Sequence, residues 1–259
     1  MIHPATVLPH YDAEMRQRPI PGPGSRVERL DGLVRVVGEE NYVLYANLTV
    51  ANVRDVVATQ AEYFRRTGVE AEWKVFGHDP DVGLEALLAD EGFVPGEPET
   101  LVVFDLQDGV PGGAPPSGIE VRRVTDDAGV ADAVRANATA FGRDESRSLE
   151  KYTAWFRDPN ESLFVAYVGE VPAASARLEL VPDRSFAGLW GGGTDPAYRG
   201  RGLYRSLVTA RAVLALSRGY RYLTVDARAT SLPILVRVGF VPLTTTRPWV
   251  LPPHSLPRP

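Results

Sequence analysis

At positions 198–207 the chain reads YRGRGLYRSL, two glycines among three arginines just ahead of an apolar-periodic run. Glycine permits positive φ and close backbone approach, so Gly200 and Gly202 at a strand-to-helix junction let several amides point into one concavity. A helix beginning near Leu203 adds its unpaired N–H groups and roughly half a positive charge. Together these make an anion site suited to a pyrophosphate, with Arg199, Arg201 and Arg205 as outer contacts. Two familiar phosphate loops do not fit. A dinucleotide fingerprint needs a glycine where Arg205 stands, and a Walker loop needs Gly-Lys followed by Ser or Thr. A bare helix start and an Arg-Gly nucleic-acid patch are the competing readings, and the acidic balance of the chain speaks against the second.

That balance is 28 basic against 33 acidic residues, a net charge of −5, which disfavours nonspecific binding to polyanions. There is no cysteine, so disulfides, thiolate metal sites and a cysteine nucleophile are excluded together. The histidines are His3, His10, His78 and His254, three of them in proline-rich tails, a poor basis for a Ser-His-Asp triad or a metal cluster. No apolar run approaches the roughly 20 residues of a membrane span. The N-terminus lacks the apolar core of a secretory signal, and the expectation is a cytoplasmic protein, monomer or homodimer, with no nucleic-acid or membrane partner.

The elements that must hold the Gly-Arg stretch are legible on either side of it. Residues 1–24 carry five prolines and read as an arm over the surface. QDGVPGGAPPSG at 107–118 reads as a linker, and 251–259 as a tail, leaving folded blocks at 25–106 and 119–250. In the first block, strand-like runs at 33–38 and 42–48 precede a helix over 51–68, a strand over 70–77, a short helix over 83–91 and a strand over 99–106. The second has a strand at 119–124, helices at 127–141 and 147–157, and strands at 163–169, 172–180 and 186–194. A helix to about Ser217, a strand at 220–227, a short helix near 231–238 and a strand near 245–250 complete it. EGFVP at 91–95 and VGFVP at 238–242 sit at the same place in the order of elements, which points to an internal duplication. Where the second block has the Gly-Arg stretch, the first has LTVANVRDVV. The fold class expected is α+β, a mixed central sheet flanked by helices, in two tandem domains.

DPAYRGRGLYRSLV resembles the acetyl-CoA-binding motif of the GNAT superfamily of N-acyltransferases, whose pattern is Gln or Arg, two residues, Gly, one residue, then Gly or Ala. Arg199, Gly202 and Tyr204 fall on the pattern positions, with Gly200, Arg201 and Leu203 between them. The preceding GGGTDP is similar to the end of the family's fourth strand, and TSLPILVRVGF at 230–240 to its second landmark. The resemblance implies acetyl-CoA as acyl donor in a V-shaped opening between the fourth and fifth strands of the block. Its pantetheine arm would add to the strand carrying Gly192, Gly193 and Thr194, and its pyrophosphate would sit on residues 199–204. It further implies transfer of acetyl directly to the amine of a small-molecule or peptide acceptor, with the first block a degenerate copy.

Two departures bear on mechanism. Tyr204 stands where the family has Gly or Ala. Leu235, five positions before Phe240, stands where family members often carry a tyrosine as acid to the leaving thiolate, and Thr230 replaces the usual asparagine. That loss keeps open a second reading, a catalytically silent acyl-CoA-binding sensor or scaffold. An amine of pKa near 10 is about one part in a thousand neutral near pH 7, worth roughly 4 kcal/mol, so a base is needed. Asp226 at the end of the fifth strand and Glu179 late in the third are the candidates, each equally explicable as a salt-bridged strand-end carboxylate. Trp190, ahead of three glycines, and Phe141 are candidates for lining an acceptor pocket, as are Tyr152 and Trp155, although aromatic residues at helical spacing also suit a core.

Overall fold

The computed structural model describes residues 2–253. Its strands are β1 (Ser25–Leu30), β2 (Leu33–Gly38), β3 (Tyr42–Ala46), β4 (Ala71–Phe76), β5 (Val94–Pro95), β6 (Glu99–Asp105), β7 (Ile119–Arg123), β8 (Glu161–Val168), β9 (Val171–Glu179), β10 (Phe186–Thr194), β11 (Tyr222–Ala227) and β12 (Val241–Leu251). The helices are α1 (Pro4–Tyr11), α2 (Val53–Thr67), α3 (Leu84–Asp90), α4 (Asp127–Phe141), α5 (Glu145–Arg157), α6 (Leu203–Ser217) and α7 (Leu232–Arg237). Local chemistry accounts for their ends. The Asp126 side chain caps α4 by accepting from the Gly129 amide at 2.8 Å, and α2 and α4 both stop on a left-handed glycine, Gly68 and Gly142.

The strands form one mixed sheet in the order β1-β2-β3-β4-β12-β6-β11-β10-β9-β8-β7, with β5 paired to β12. The two halves repeat a motif of three antiparallel strands, a long helix, a fourth strand parallel to the third, a short helix and a last strand. The last strands are exchanged: β6, from the first half, lies antiparallel against β11, while β12, from the second, lies against β4. β6 and β12 pair with each other at the centre, Val241 opposite Val103 and Thr246 opposite Glu99. The sheet therefore runs unbroken through both blocks.

Alternation along each strand assigns the layers. On one face Ala187 and Leu189 of β10 and Leu223 of β11 pack with Leu203, Leu207, Val208 and Ala212 of α6. Trp73 of β4 packs with Val57, Ala61 and Phe64 of α2. On the other face α4 covers Leu163, Val165 and Tyr167 of β8. There too, Val7 and Tyr11 of α1 cover Phe186, Tyr222, Leu101 and Val103.

The last contact corrects the expectation of a surface arm. Pro4 occupies a first-turn position of α1, where its missing N–H costs nothing. The helix continues into a wider turn over Asp12–Arg16, and Arg16 is buried at 2% exposure. Its guanidinium donates to both Asp79 oxygens at 2.8 and 2.6 Å and to Asp12 at 2.9 Å, and lies 3.9 Å from the Phe76 ring centre. The sheet also gains β1, a strand beyond those expected. Of the tail, Leu251 belongs to β12, and His254 lies outside the described residues.

Candidate active site

β10 and β11 pair in parallel only from Phe186 opposite Tyr222 to Gly188 opposite Thr224. Beyond those residues the strands part and leave a V. On its other side β10 shifts register against β9 between Trp190 and Gly193. The carbonyl of Gly191 within the bulge accepts from Asn137 Nδ2 of α4 at 3.3 Å. Gly193 lets α4 close on the bulge: a Cβ there would stand 2.5 Å from the Phe141 ring. Phe141 is thus packing for the bulge and does not line the cavity described below.

On the α6 side of the V lies the glycine turn. Gly202 is the residue before α6, left-handed at φ 91°, and no side chain caps the helix. Among the described residues, the amides of residues 200–204 donate to no protein acceptor. Gly200 is left-handed at φ 78° with open space where a side chain would project. Five free amides and a helix terminus fit an anionic phosphate group. The arginines divide. Arg199 is turned toward the protein, its Nε donating to the Thr194 carbonyl at 3.2 Å, whereas Arg201 stays on the surface with its guanidinium 5.1 Å from the Tyr198 ring centre. Tyr204 turns inward. Its ring lies over Gly192, where a Cβ would come within 2.8 Å of it, and its hydroxyl points toward Ser231, the residue before α7. Burial raises the Tyr204 pKa, and the Arg211 guanidinium beneath offsets part of that.

Arg211 itself was not singled out from sequence. It is 1% exposed, donates to the Leu207 and Arg177 carbonyls at 3.0 Å each, and has no carboxylate partner among the described residues. Burial lowers its pKa to about 10. An arginine on the apolar stripe of a helix carries no local sign of such a role.

On the opposite face of the sheet a cavity of about 840 Å³ opens between α5, the N-terminal segment and the loop before β3. Trp190 and Asp226 form its wall at the V, and Lys74, Glu72 and Tyr42 reach it from the first half of the chain. The Asp226 carboxylate is 4% exposed and paired with Lys74, and Thr246 Oγ1 donates to it at 3.1 Å. Burial pulls the Lys74 ammonium down, but Asp226 outweighs burial and holds it above the ordinary lysine range. A carboxylate locked this way has both oxygens committed to Lys74 and Thr246. Glu179 is freer. It sits opposite Gly188 at the last paired position before the V, and its Oε2 accepts from Trp190 Nε1 at 2.8 Å. Leu235 is fully buried in the core beneath β10 and β11.

His10 of α1, though exposed, touches the second half of the chain. Ser185 Oγ and Glu14 both meet His10 at the same nitrogen, Nε2, at 3.5 and 2.6 Å. With one nitrogen serving both, no relay from carboxylate through imidazole to hydroxyl exists.

A mixed sheet splayed between β10 and β11, the fourth and fifth strands of the second half, with a glycine turn at the helix between them, defines an acyltransferase-type fold. Residues 131–240 match the family model described as Acetyltransferase (GNAT) family. The fold is shared over nearly the whole length with a GCN5-related N-acetyltransferase from Kribbella flavida, at TM-score 0.70 and 17% identity, covering 98% of this chain and 95% of that one. A tandem GNAT protein from the clavulanic acid biosynthesis pathway aligns at TM-score 0.63 and 16% identity over 91% of this chain and 86% of its own. A GCN5-related N-acetyltransferase from Sphaerobacter thermophilus aligns at TM-score 0.63 and 16% identity over 87% and 82%. No curated protein matches the sequence. Among the described residues no helix is long and apolar enough to cross a membrane.

Proposed function

We propose that the chain transfers an acetyl group from acetyl-CoA directly to a primary amine held in the cavity. One observation carries the reading: Trp190 and Asp226, which wall the cavity, lie two residues past the point where β10 and β11 separate, so the cavity meets the glycine-turn side through the V. The free amides of 200–204 would hold the pyrophosphate of the donor, which supplies a thioester-activated acyl group. Gly192 and Thr194 line the strand edge facing the V, while Gly193 serves the α4 contact.

The protein's own residues then have two proton tasks. An acceptor arrives as an ammonium, and Glu179, oriented by the Trp190 indole, takes its proton. On the other side of the V the Tyr204 hydroxyl is placed to hold a proton for the departing thiolate, the task Leu235 cannot perform. Tyr204 is protonated near neutrality as any phenol is, and burial raises its pKa further. Lys74 fixes Asp226 and thereby ties the wall of the cavity to the first half of the chain.

The test is Glu179→Gln, an exchange that preserves size and an acceptor for Trp190. It should lower kcat about 100-fold near neutral pH, with the deficit shrinking as pH rises toward the acceptor's own pKa. Undiminished kcat in this variant removes Glu179 from the mechanism.

A further inference from the structure

The cavity carries more negative charge than an acceptor of one amine requires. Among the described residues nine carboxylates and five cationic side chains line it. Two of the five cations are already matched, Arg16 by Asp79 and Asp12 and Lys74 by Asp226, and Arg177 donates to Glu161. Glu161 of β8 stands directly opposite Glu179 of β9 in the ladder, one strand further from β10 than Glu179 itself. Its side chain is only 7% exposed, and while Oε1 meets Arg177, its buried Oε2 has no hydrogen-bond partner. A buried carboxylate oxygen without a donor is costly, and a cavity beside it leaves room for a ligand to supply one. The Trp155 ring stands at that end of the cavity, with the Arg177 guanidinium 4.3 Å and the Lys151 ammonium 5.0 Å from its centre.

We propose that the acceptor is a di- or polycationic amine, with one amino group at the V beside Glu179 and Trp190 and a second ammonium on Glu161 Oε2. This inference rests on the reading of the cavity as the acceptor site. It also predicts proton linkage. Burial drives the Glu161 carboxyl up to about 8, with Arg177 opposing the shift and Glu179 and Asp158 adding to it. The other charged groups lining the cavity are Lys151 from α5, Glu14, Arg16 and Arg18 from the N-terminal segment, Glu39 and Glu40 from the loop before β3, Glu70, Glu72 and Lys74 at β4, and Asp226 of β11. Near neutral pH the carboxyl is protonated, so a cation that binds it must expel the proton, and affinity must rise as pH climbs through about 8.

The experiment is calorimetric titration of the full chain, without acyl donor, using putrescine, cadaverine and spermidine against butylamine and pentylamine. The multivalent amines should bind at least about tenfold tighter than the monoamines, the gain of one charge-assisted hydrogen bond. Wild-type protein should release a proton on binding them, read from buffers of different ionisation enthalpy. Glu161→Gln should abolish both the gap and the proton release while leaving monoamine affinity unchanged. Equal affinities for mono- and multivalent amines, or a gap without proton release in the wild type, overturns the proposal even if the variant does not fold. Turnover separates the two readings. Acetylation of mono- and diamines with equal kcat/KM removes the second subsite and keeps the reaction. Tight, proton-linked diamine binding without acetylation by acetyl-CoA keeps the subsite and removes the reaction.

Discussion

Tyr204 is the residue whose identity departs most from its surroundings in sequence and whose position explains most in structure. At the last position of the glycine motif a large side chain would be an obstruction if it pointed at the phosphate-binding amides. It points instead across Gly192 toward Ser231, filling the gap where the strands part, with the uncompensated Arg211 guanidinium nearby. If its hydroxyl serves the leaving thiolate, Tyr204→Phe lowers kcat by about 10- to 100-fold with KM for the amine unchanged. Steady-state kinetics with wild-type kcat would reduce Tyr204 to packing. Of the two carboxylates singled out from sequence, Asp226 was the better placed along the chain and proves the more constrained. Its partner Lys74 comes from a strand 152 residues away, a distance no local pattern reveals. Glu179 is less constrained: among the described residues its side chain meets the indole of Trp190 alone.

At the scale of elements, β10 and the turn into α6 do most of the positioning. The bulge needs glycine at 193 because α4 closes on it, and the turn needs glycine at 202 because its φ is 91° and Pro116 stands 3.0 Å from where a Cβ would project. Gly200 is different: its backbone is left-handed but its side is open. Aspartate and asparagine tolerate that conformation. Gly200→Asp is therefore expected to weaken acetyl-CoA binding at least tenfold, roughly the effect of one misplaced charge at a helix N-terminus. Gly200→Asn should retain affinity, both with melting temperatures close to wild type. Equal affinity in the two variants would place the phosphate elsewhere. The elements themselves were largely legible. Period-two runs and glycine stops located β2, β10, α4 and α6 to within a residue or two, since each buries one face against a layer that its own pattern implies. The arm was not, because five prolines mask a helix whose burial depends on Val7, Tyr11 and Arg16 meeting strands far along the chain.

The whole molecule is organised by the exchange of β6 and β12. Apolar alternation states which face of a strand is buried but not which strand lies beside it, so the duplication was visible in the paired Gly-Phe-Val-Pro segments and the exchange was not. The consequence is that each half supplies the sheet neighbour of the other. Leu101, Val102, Val103 and Phe104 of β6 are buried against the second half. At roughly 1.5–3 kcal/mol each their loss would remove on the order of 6–12 kcal/mol, comparable to the entire stability of a typical domain. A fragment beginning at residue 119 is accordingly expected to be unfolded or self-associated, and to recover a cooperative thermal transition when co-expressed with residues 1–118. A monomeric, cooperatively melting fragment by sedimentation and circular dichroism would show that the exchange is dispensable. The same exchange brings Lys74 to Asp226, so the first half of the chain is part of the cavity wall as well as of the scaffold.

The central claim is that the V joins a donor cradle on one face to an amine cavity on the other. Its most direct measurement is mass spectrometry of a panel of mono-, di- and polyamines incubated with the full chain and acetyl-CoA, with free thiol followed in parallel. Amine-dependent thiol release matched by N-acetylated product, lost in Gly200→Asp, is the predicted result. Acetyl-CoA binding by calorimetry with no amide formed on any amine would contradict the account and leave a binding protein in place of an enzyme.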